Sequence, residues 1–283
     1  MGKVMERRYI CGNGIVEKTR FYVGDNTALH PRWKKAKTKA DKRDENQRRA
    51  ARELARIFNC NLDGKGFLVT LTYSDSAYDS LFGGMDEDQI LREAKRLSGL
   101  FVRRLKRKAN AEIKTVCTAS DRDVKEDGSL EPVRVHNHIV VMGAGIEEIR
   151  ASWEYGIVDI ESIYEKQEDY TPLAVYLVSQ VRSLQDFKKY SASRNMDKPK
   201  VEERVIIGDP GEEIRIQPGA KVLDRMTYRE GSVVQYVRYR RREKSVKRGG
   251  HIDCHVGLRP PRNDCEKSEG GAGFEFSEIA WGK

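Results

Sequence analysis

The stretch Val133–Met142, VRVHNHIVVM, constrains the fold more than any other part of this chain. It is a β-branched run, typical of a strand, and it contains two of the chain's five histidines. Successive side chains of a strand point to opposite faces of a sheet, so His136 and His138 share one face and Asn137 lies on the other. With a rise of ~3.3 Å per residue, the two imidazoles stand about 7 Å apart along the strand. Two neutral imidazoles at this spacing can bind one divalent cation; the alternative is a pair of hydrogen-bonded core histidines.

Helix and strand patterns alternate through the middle of the chain. Strands are predicted over 67–73, 113–119, 133–142 and 156–162, and helices over 40–58, from Asp86 onward, over 146–155 and over 171–184. Asp86 and Gln89 have the spacing of a helix capping box. From residue 63 onward the order is β-α-β-β-α-β-α, which predicts an α+β fold. Residues 74–84, SDSAYDSLFGG, indicate a loop, and residues 1–33 give only weak strand signals.

Composition divides the chain into four segments. A basic N-terminal extension with one helix occupies 1–62, and the core domain occupies 63–200. A β-rich, basic accessory segment follows over 201–248, and a loosely ordered tail over 249–283. The tail contains His251, Cys254, His255 and Cys265; a zinc site is one interpretation of this cluster, although its spacing fits no standard finger.

The net charge of +9 is concentrated in two clusters. Residues 32–56 contain eleven Lys or Arg against four Asp or Glu, and residues 236–248 contain seven against one. Such clusters fit a phosphate backbone, and the interleaved Tyr236 and Tyr239 can stack on unpaired bases. The alternative is a set of solvated helix faces.

The sequence predicts a cytoplasmic protein of a bacterial host, with no part in a membrane. No apolar run reaches the ~20 residues of a membrane helix, and the N-terminus lacks the apolar core of a signal peptide. The five scattered cysteines agree with a reducing compartment.

Four blocks of the chain, within roughly residues 65 to 200, resemble the HUH endonuclease superfamily. The blocks are FLVTLTY, RVHNHIVV, SWEYGIVDIE, and YLVSQV followed by YSASRNMDKP. The resemblance is closest to the rolling-circle replication initiators of single-stranded DNA phages and related plasmids or integrated elements. It implies a central antiparallel sheet with flanking helices.

The resemblance also implies an activity. In that family, a helix tyrosine attacks single-stranded DNA at an origin hairpin and forms a 5′-phosphotyrosine bond, which releases a 3′-hydroxyl that primes replication. The matching tyrosine here is Tyr176, and His136 and His138 match the ligands of a Mn²⁺ or Mg²⁺ ion. A third ligand is expected from the preceding strand, where Asp121 is the first choice and Asp123 the second.

This chain departs from the family pattern at Ser179, where the family often has a lysine three residues after its tyrosine. Arg182, on the same predicted helix, is a substitute for that charge. We expect DNA contacts from five arginines: Arg134, Arg182, Arg194, Arg240 and Arg241. The sequence contains no Walker A motif, so a host helicase and a host polymerase are the implied partners.

Two other functions stay open. A relaxase or transposase of the same superfamily would share the tyrosine and the histidines. The other is a non-catalytic nucleic-acid-binding protein that kept the fold. Ser179 favours it, and so does Ala119, which occupies the position where the family pattern would have a ligand glutamate.

Overall fold

The structure is a computed structural model that describes residues 3–23, 39–109, 111–125, 129–163, 169–184, 186–207, 212–228 and 234–242. The strands are β1 (Lys3–Ile10), β2 (Ile15–Val23), β3 (Gly66–Leu71), β4 (Lys114–Val124), β5 (Leu130–Met142), β6 (Val158–Ile163), β7 (Ser191–Ala192), β8 (Lys200–Ile206), β9 (Lys221–Tyr228) and β10 (Val234–Arg240). The helices are α1 (Lys39–Asn61), α2 (Asp75–Phe82), α3 (Glu87–Lys108), α4 (Ile146–Arg150) and α5 (Thr171–Ser179). The predicted α+β class is confirmed.

The strands form two antiparallel sheets, and the histidine strand β5 lies at the centre of one of them. That sheet has the order β6-β3-β5-β4-β7. The alternation predicted for β5 is confirmed, because Ile139 and Val141 enter one apolar core while Val140 and Met142 enter the other. Helix α3 covers the first face, and helices α1 and α5 cover the second, on which the histidines lie.

Helix α3 begins where the sequence predicted. The Asp86 side chain accepts a hydrogen bond from the Gln89 backbone N–H at 2.8 Å, and the Gln89 side chain accepts one from the Asp86 N–H at 3.0 Å. This capping box satisfies two amides that a helix start leaves unpaired. Ala94, Leu97 and Phe101 are then fully buried against the sheet.

Helix α1 lies between the two sheets. Leu54 and Phe58 are fully buried in the core that α1 shares with α5. On its other side, Arg56 forms an ion pair with Glu17 of β2 at 2.7 Å, and Arg52 lies over the ring of Tyr236. The helix therefore connects the histidine sheet to the other sheet.

That other sheet, β8-β1-β2-β10-β9, joins the two ends of the described chain. β1 pairs with β8 along its length, and β2 pairs with β10. The predicted segments 1–62 and 201–248 therefore contribute strands to one sheet, and the predicted boundary at 200/201 falls inside β8. The weak strand signals before residue 33 underestimated β1 and β2, which pair with each other and also with β8 and β10, far away in sequence.

One further element was missed. The predicted loop 74–84 contains helix α2, which begins after Ser74, whose hydroxyl accepts a hydrogen bond from the Ala77 amide. The helix buries Phe82 against Tyr73 with an edge-to-face ring contact. Serine, aspartate and paired glycines signalled a loop, whereas the helix depends on this tertiary contact.

None of the described helices is long and apolar enough to cross a membrane. The set of His251, Cys254, His255 and Cys265 lies outside the described residues, as does residue 243 onward in the second basic cluster.

Candidate active site

His136 and His138 form the centre of the candidate site. Their Nε2 atoms lie 3.0 Å apart, and their rings meet edge to face with centroids 4.7 Å apart. Both side chains lie on the face of the sheet that helix α5 covers. His138 is buried at 5% exposure, whereas His136 is more open, at the end of the apolar core.

Hydrogen bonds to the two Nδ1 atoms fix the rings. The Nδ1 of His136 lies 3.1 Å from the Arg134 carbonyl oxygen. A carbonyl only accepts, so this nitrogen carries the proton and Nε2 of neutral His136 presents a lone pair. The Nδ1 of His138 lies 3.0 Å from Oγ1 of Thr70, a hydroxyl that can either donate or accept.

Thr70 therefore permits both neutral tautomers of His138. With the proton on Nε2, His138 donates to His136 while the Thr70 hydroxyl donates to Nδ1. With the proton on Nδ1, His138 donates to Thr70 and both Nε2 lone pairs point at the same space. The second arrangement is the one in which two imidazoles share a cation.

Burial keeps both imidazoles neutral. Desolvation, and then the neighbouring His136, lower the pKa of His138 to about 3. Desolvation also lowers the pKa of His136, although the hydrogen bond to the Arg134 carbonyl opposes it. Both rings are therefore deprotonated at neutral pH, as metal ligands must be.

Tyr176 of helix α5 lies beside this pair. Its ring centroid is 5.7 Å from that of His138, and the ring is half-buried at the edge of the core. Burial raises the pKa of Tyr176, and the charges of Asp123 and Glu161 raise it further. The phenol is thus strongly protonated at neutral pH.

Gln180 joins the tyrosine to the histidines. It lies one helical turn after Tyr176, and the polar amide of its side chain, close to both rings, raises the pKa of His138 and lowers that of Tyr176. The residue is 2% exposed, yet within the described chain its Oε1 atom has no hydrogen-bond partner. A buried amide oxygen without a hydrogen-bond donor costs free energy. A ligand that supplies a donor or a cation would remove this cost.

Ser120 is a second buried group without a partner. It stands opposite His136 in the β4–β5 ladder, so both side chains are on one face of the sheet. Its Oγ is buried and finds no partner among the described residues. Ala119, the position at which the family pattern would have a glutamate, pairs instead with Asn137 on the opposite face.

Asp121 does not join the histidines as predicted. It sits at a β-bulge between Ser120 and Arg122, and its carboxylate pairs with Arg182 at 2.8 Å and with Arg122 at 3.6 Å. Across the described ranges, no group of three or more His, Cys, Asp or Glu side chains is arranged to hold a metal. Asp123 uses a carboxylate oxygen to accept from the Val124 amide.

Arg182 does not point a free charge at Tyr176. Besides Asp121, it pairs with Glu87 at 2.9 Å and Asp88 at 2.6 Å. Helix α5 ends at Ser179, earlier than predicted, because the amides of Asp121 and Arg122 donate to the Gln180 carbonyl. Arg182 therefore lies beyond the end of the helix, where its guanidinium pairs with Asp121 at the bulge.

The other four arginines predicted to contact DNA differ in exposure and in their partners. Arg134 pairs with Asp75 and lies over the ring of Tyr78. Arg194 is exposed, and Arg240 and Arg241 are half-exposed. The prediction that Tyr236 and Tyr239 stack on bases is wrong, because they are 4% and 1% exposed within the sheet.

The histidine pair fits a divalent cation. Two nitrogens bound at ~2.1 Å with a right angle between them lie about 3.0 Å apart, and the Nε2 atoms are 3.0 Å apart. The amide oxygen of Gln180 adds a hard oxygen donor, which suits Mg²⁺ or Mn²⁺. Gln180 was missed in the sequence, although its spacing of four from Tyr176 puts both on one helix face.

The comparisons with known proteins provide no relative. No family model, no curated protein and no solved structure matches this chain.

Proposed function

We propose that this protein nicks single-stranded DNA through Tyr176 and so initiates and terminates rolling-circle replication. One observation carries the proposal: a phenol lies beside two neutral imidazoles whose Nε2 atoms face each other at 3.0 Å. The order β3-α2-α3-β4-β5-α4-β6-α5 contains, apart from the added helix α2, the β-α-β-β-α-β-α order that the resemblance implies, and this supports the proposal.

The reaction is a transesterification. The Tyr176 oxygen forms a bond to the phosphorus of a DNA phosphodiester and loses its proton to solvent or to a nearby base. The bond from phosphorus to the 3′ oxygen breaks, and that oxygen takes up a proton. The protein is then joined to the 5′ end, and the free 3′-hydroxyl can later reverse the reaction.

The residues around Tyr176 have separate tasks. The Arg134 carbonyl and Thr70 orient the imidazoles, and His136, His138 and Gln180 would hold a Mn²⁺ or Mg²⁺ ion. Such an ion, when bound, polarises the scissile phosphate and neutralises its developing charge. Gln180 also lowers the pKa of the phenol, in opposition to burial.

A covalent adduct tests the proposal. The protein is incubated with Mn²⁺ and single-stranded oligonucleotides that tile the DNA flanking its gene. Oligonucleotides with a 3′ label should give a labelled protein band that survives SDS, and the same oligonucleotides with a 5′ label should give only a shortened DNA. Tyr176→Phe should abolish the adduct, while Tyr190→Phe should keep it. An adduct with Tyr176→Phe would show that Tyr176 is not the nucleophile.

A second candidate is a nucleic-acid-binding protein without catalysis. It is favoured by the carboxylates that raise the pKa of Tyr176 and by the engagement of Arg182 with three acidic side chains. In that case the oligonucleotides bind but stay uncut in Mn²⁺. A relaxase or transposase would form the same adduct and would then join it to a second DNA site.

A further inference from the structure

A groove runs along helix α3 at the β7 edge of the histidine sheet, and neither the histidines nor Tyr176 line it. Two cavities of about 830 Å³ and about 530 Å³ line up along it and share Ser191 and Ala192 of β7. Lys95 lines the first cavity, and Gly99, Val102 and Lys106 line the second. These positions recur at three or four residues, so one face of α3 forms a wall of the whole groove. Residues 183–184 and 187–195, which follow α5, form the other wall, and helix α1 contributes Glu53 to the wider end.

The charges of the groove are strongly one-sided. Its walls contain Lys95, Lys106, Lys188, Lys189 and Arg194, against a single carboxylate, that of Glu53. Lys106 and Arg194 are exposed and have no acidic partner in the part of the chain that the structure describes. Burial lowers the pKa of Lys95, and the nearby charges of Lys188 and Arg92 lower it further. The groove therefore has an excess of positive charge that an anionic chain would neutralise.

Two aromatic side chains line the wider end. Phe187 and Tyr190 line this cavity and are partly buried. The Lys95 ammonium lies 4.4 Å from the Phe187 ring centroid and donates to the Lys188 carbonyl, which fixes the ring next to the cations. A row of cations with aromatic rings is the combination that binds unpaired nucleic acid by its backbone and its bases.

We propose that this α3 groove is a second binding site for single-stranded DNA, separate from the site of Tyr176. The distance from Lys95 to Lys106 along the helix is about 16 Å. That length accommodates about five nucleotides at the ~3.4 Å spacing of stacked bases. The inference rests on the proposed function for the nature of the ligand. Because the wall residues 183–184 and 187–195 follow α5 in the chain, the groove would hold a strand that extends beyond the tyrosine.

The charge contribution is tested with fluorescein-labelled dT20 in EDTA, by fluorescence anisotropy across a salt series. Lys106→Ala with Arg194→Ala should flatten the slope of log K against log salt by about 1.4, or ~0.7 for each lost contact. The matched control is Arg103→Ala with Arg107→Ala, which removes two exposed cations of α3 that line neither cavity. The proposed groove site would be refuted if both double variants flattened the salt slope equally, or if Lys106→Ala with Arg194→Ala left the slope unchanged.

The shape of the groove is tested at Gly99. A Cβ at this position meets nothing within 4 Å, so a side chain can be added without a clash. Gly99→Leu should fill the groove and weaken dT20 binding about tenfold, while Gly99→Ala should bind nearly as wild type. Undiminished binding by Gly99→Leu contradicts the proposal.

Stacking is tested at Phe187. Phe187→Leu keeps apolar volume but loses the ring, so it should weaken dT20 about tenfold and leave an abasic 20-mer unaffected. Equal effects on both strands would exclude stacking there. All three measurements are made without metal, so they are independent of nicking. If the variants weaken dT20 binding as expected but no adduct forms, only the proposed nicking activity is refuted. If an adduct forms but Gly99→Leu binds dT20 normally, only the proposed groove site is refuted.

Discussion

The Nε2 atoms of His136 and His138 face each other at 3.0 Å, and the Arg134 carbonyl holds the proton of His136 on the far side of its ring. Without a cation, the proton of His138 must lie between the two rings, while the Thr70 hydroxyl donates to Nδ1. A bound cation would need the lone pair of His138 Nε2, so the proton would have to be on Nδ1, with the Thr70 hydroxyl as its acceptor. The switch changes the tautomer and leaves the net charge of the pair unchanged.

Metal binding should therefore stabilise the fold. Mn²⁺ at one hundred times its Kd should add ~2.7 kcal/mol to the free energy of unfolding, measured as a rise in the melting temperature that EDTA reverses. His136→Ala should lose this response. Asp121→Asn should keep it, because the Asp121 carboxylate pairs with arginines; a lost response in Asp121→Asn would restore Asp121 as a ligand.

Two variants of Gln180 distinguish a metal ligand from a residue that only packs. Gln180→Ala should weaken Mn²⁺ binding at least about tenfold, measured by calorimetric titration. Gln180→Glu retains an oxygen donor of similar shape and should bind Mn²⁺ at least as well as the wild type does. If the two variants bind Mn²⁺ equally well, Gln180 does not coordinate the ion.

Nicking should accelerate with pH. The pKa of Tyr176 is raised by burial, so the phenolate is scarce at pH 7 and increases about tenfold per pH unit below that pKa. The single-turnover rate of adduct formation in Mn²⁺ should climb between pH 7 and pH 9. A flat profile would indicate that a step other than attack by the phenolate limits the rate.

Acid should destabilise the fold through His138. Its pKa is about 3 in the folded protein, below the ~6.5 of the unfolded chain, so the unfolded state binds more protons between these values. Stability is therefore full above pH 6.5 and decreases as the pH falls towards 3. His138→Gln should show a shallower decrease in urea denaturation between pH 6.5 and pH 4.5. An identical pH dependence in both proteins would mean that His138 titrates normally.

Arg182 should contribute to stability rather than to DNA binding. Removing its guanidinium leaves Asp121 buried with only Arg122, so Arg182→Ala should cost about 1–3 kcal/mol of unfolding free energy. Its salt dependence for dT20 should match that of wild type, since Glu87, Asp88 and Asp121 already neutralise this charge. A flatter salt slope would return Arg182 to the DNA contacts predicted from the sequence.

The sequence predicted those features that depend on local periodicity. Strand alternation placed His136 and His138 on one face, and the capping box located the start of α3. Pairing register was beyond reach, because it depends on which residues of two strands meet: the regular β4–β5 register places Ser120 opposite His136, and the bulge at Asp121 begins only after that pair. Gln180 was missed because its role depends on where α5 ends, which is set by amides from β4.

The order of synthesis has a consequence for the sheet β8-β1-β2-β10-β9. β1 and β2 leave the ribosome long before their outer neighbours β8 and β10, which begin at residue 200 and at residue 234. A lone hairpin is marginally stable in water, so the early chain waits for strands made much later. A translation product that stops before residue 200 would keep both histidines and Tyr176, yet would lack the β8 and β10 neighbours of this hairpin. The hairpin carries Glu17, the partner of Arg56 on α1, so premature termination would weaken the support of the tyrosine helix from outside its own domain.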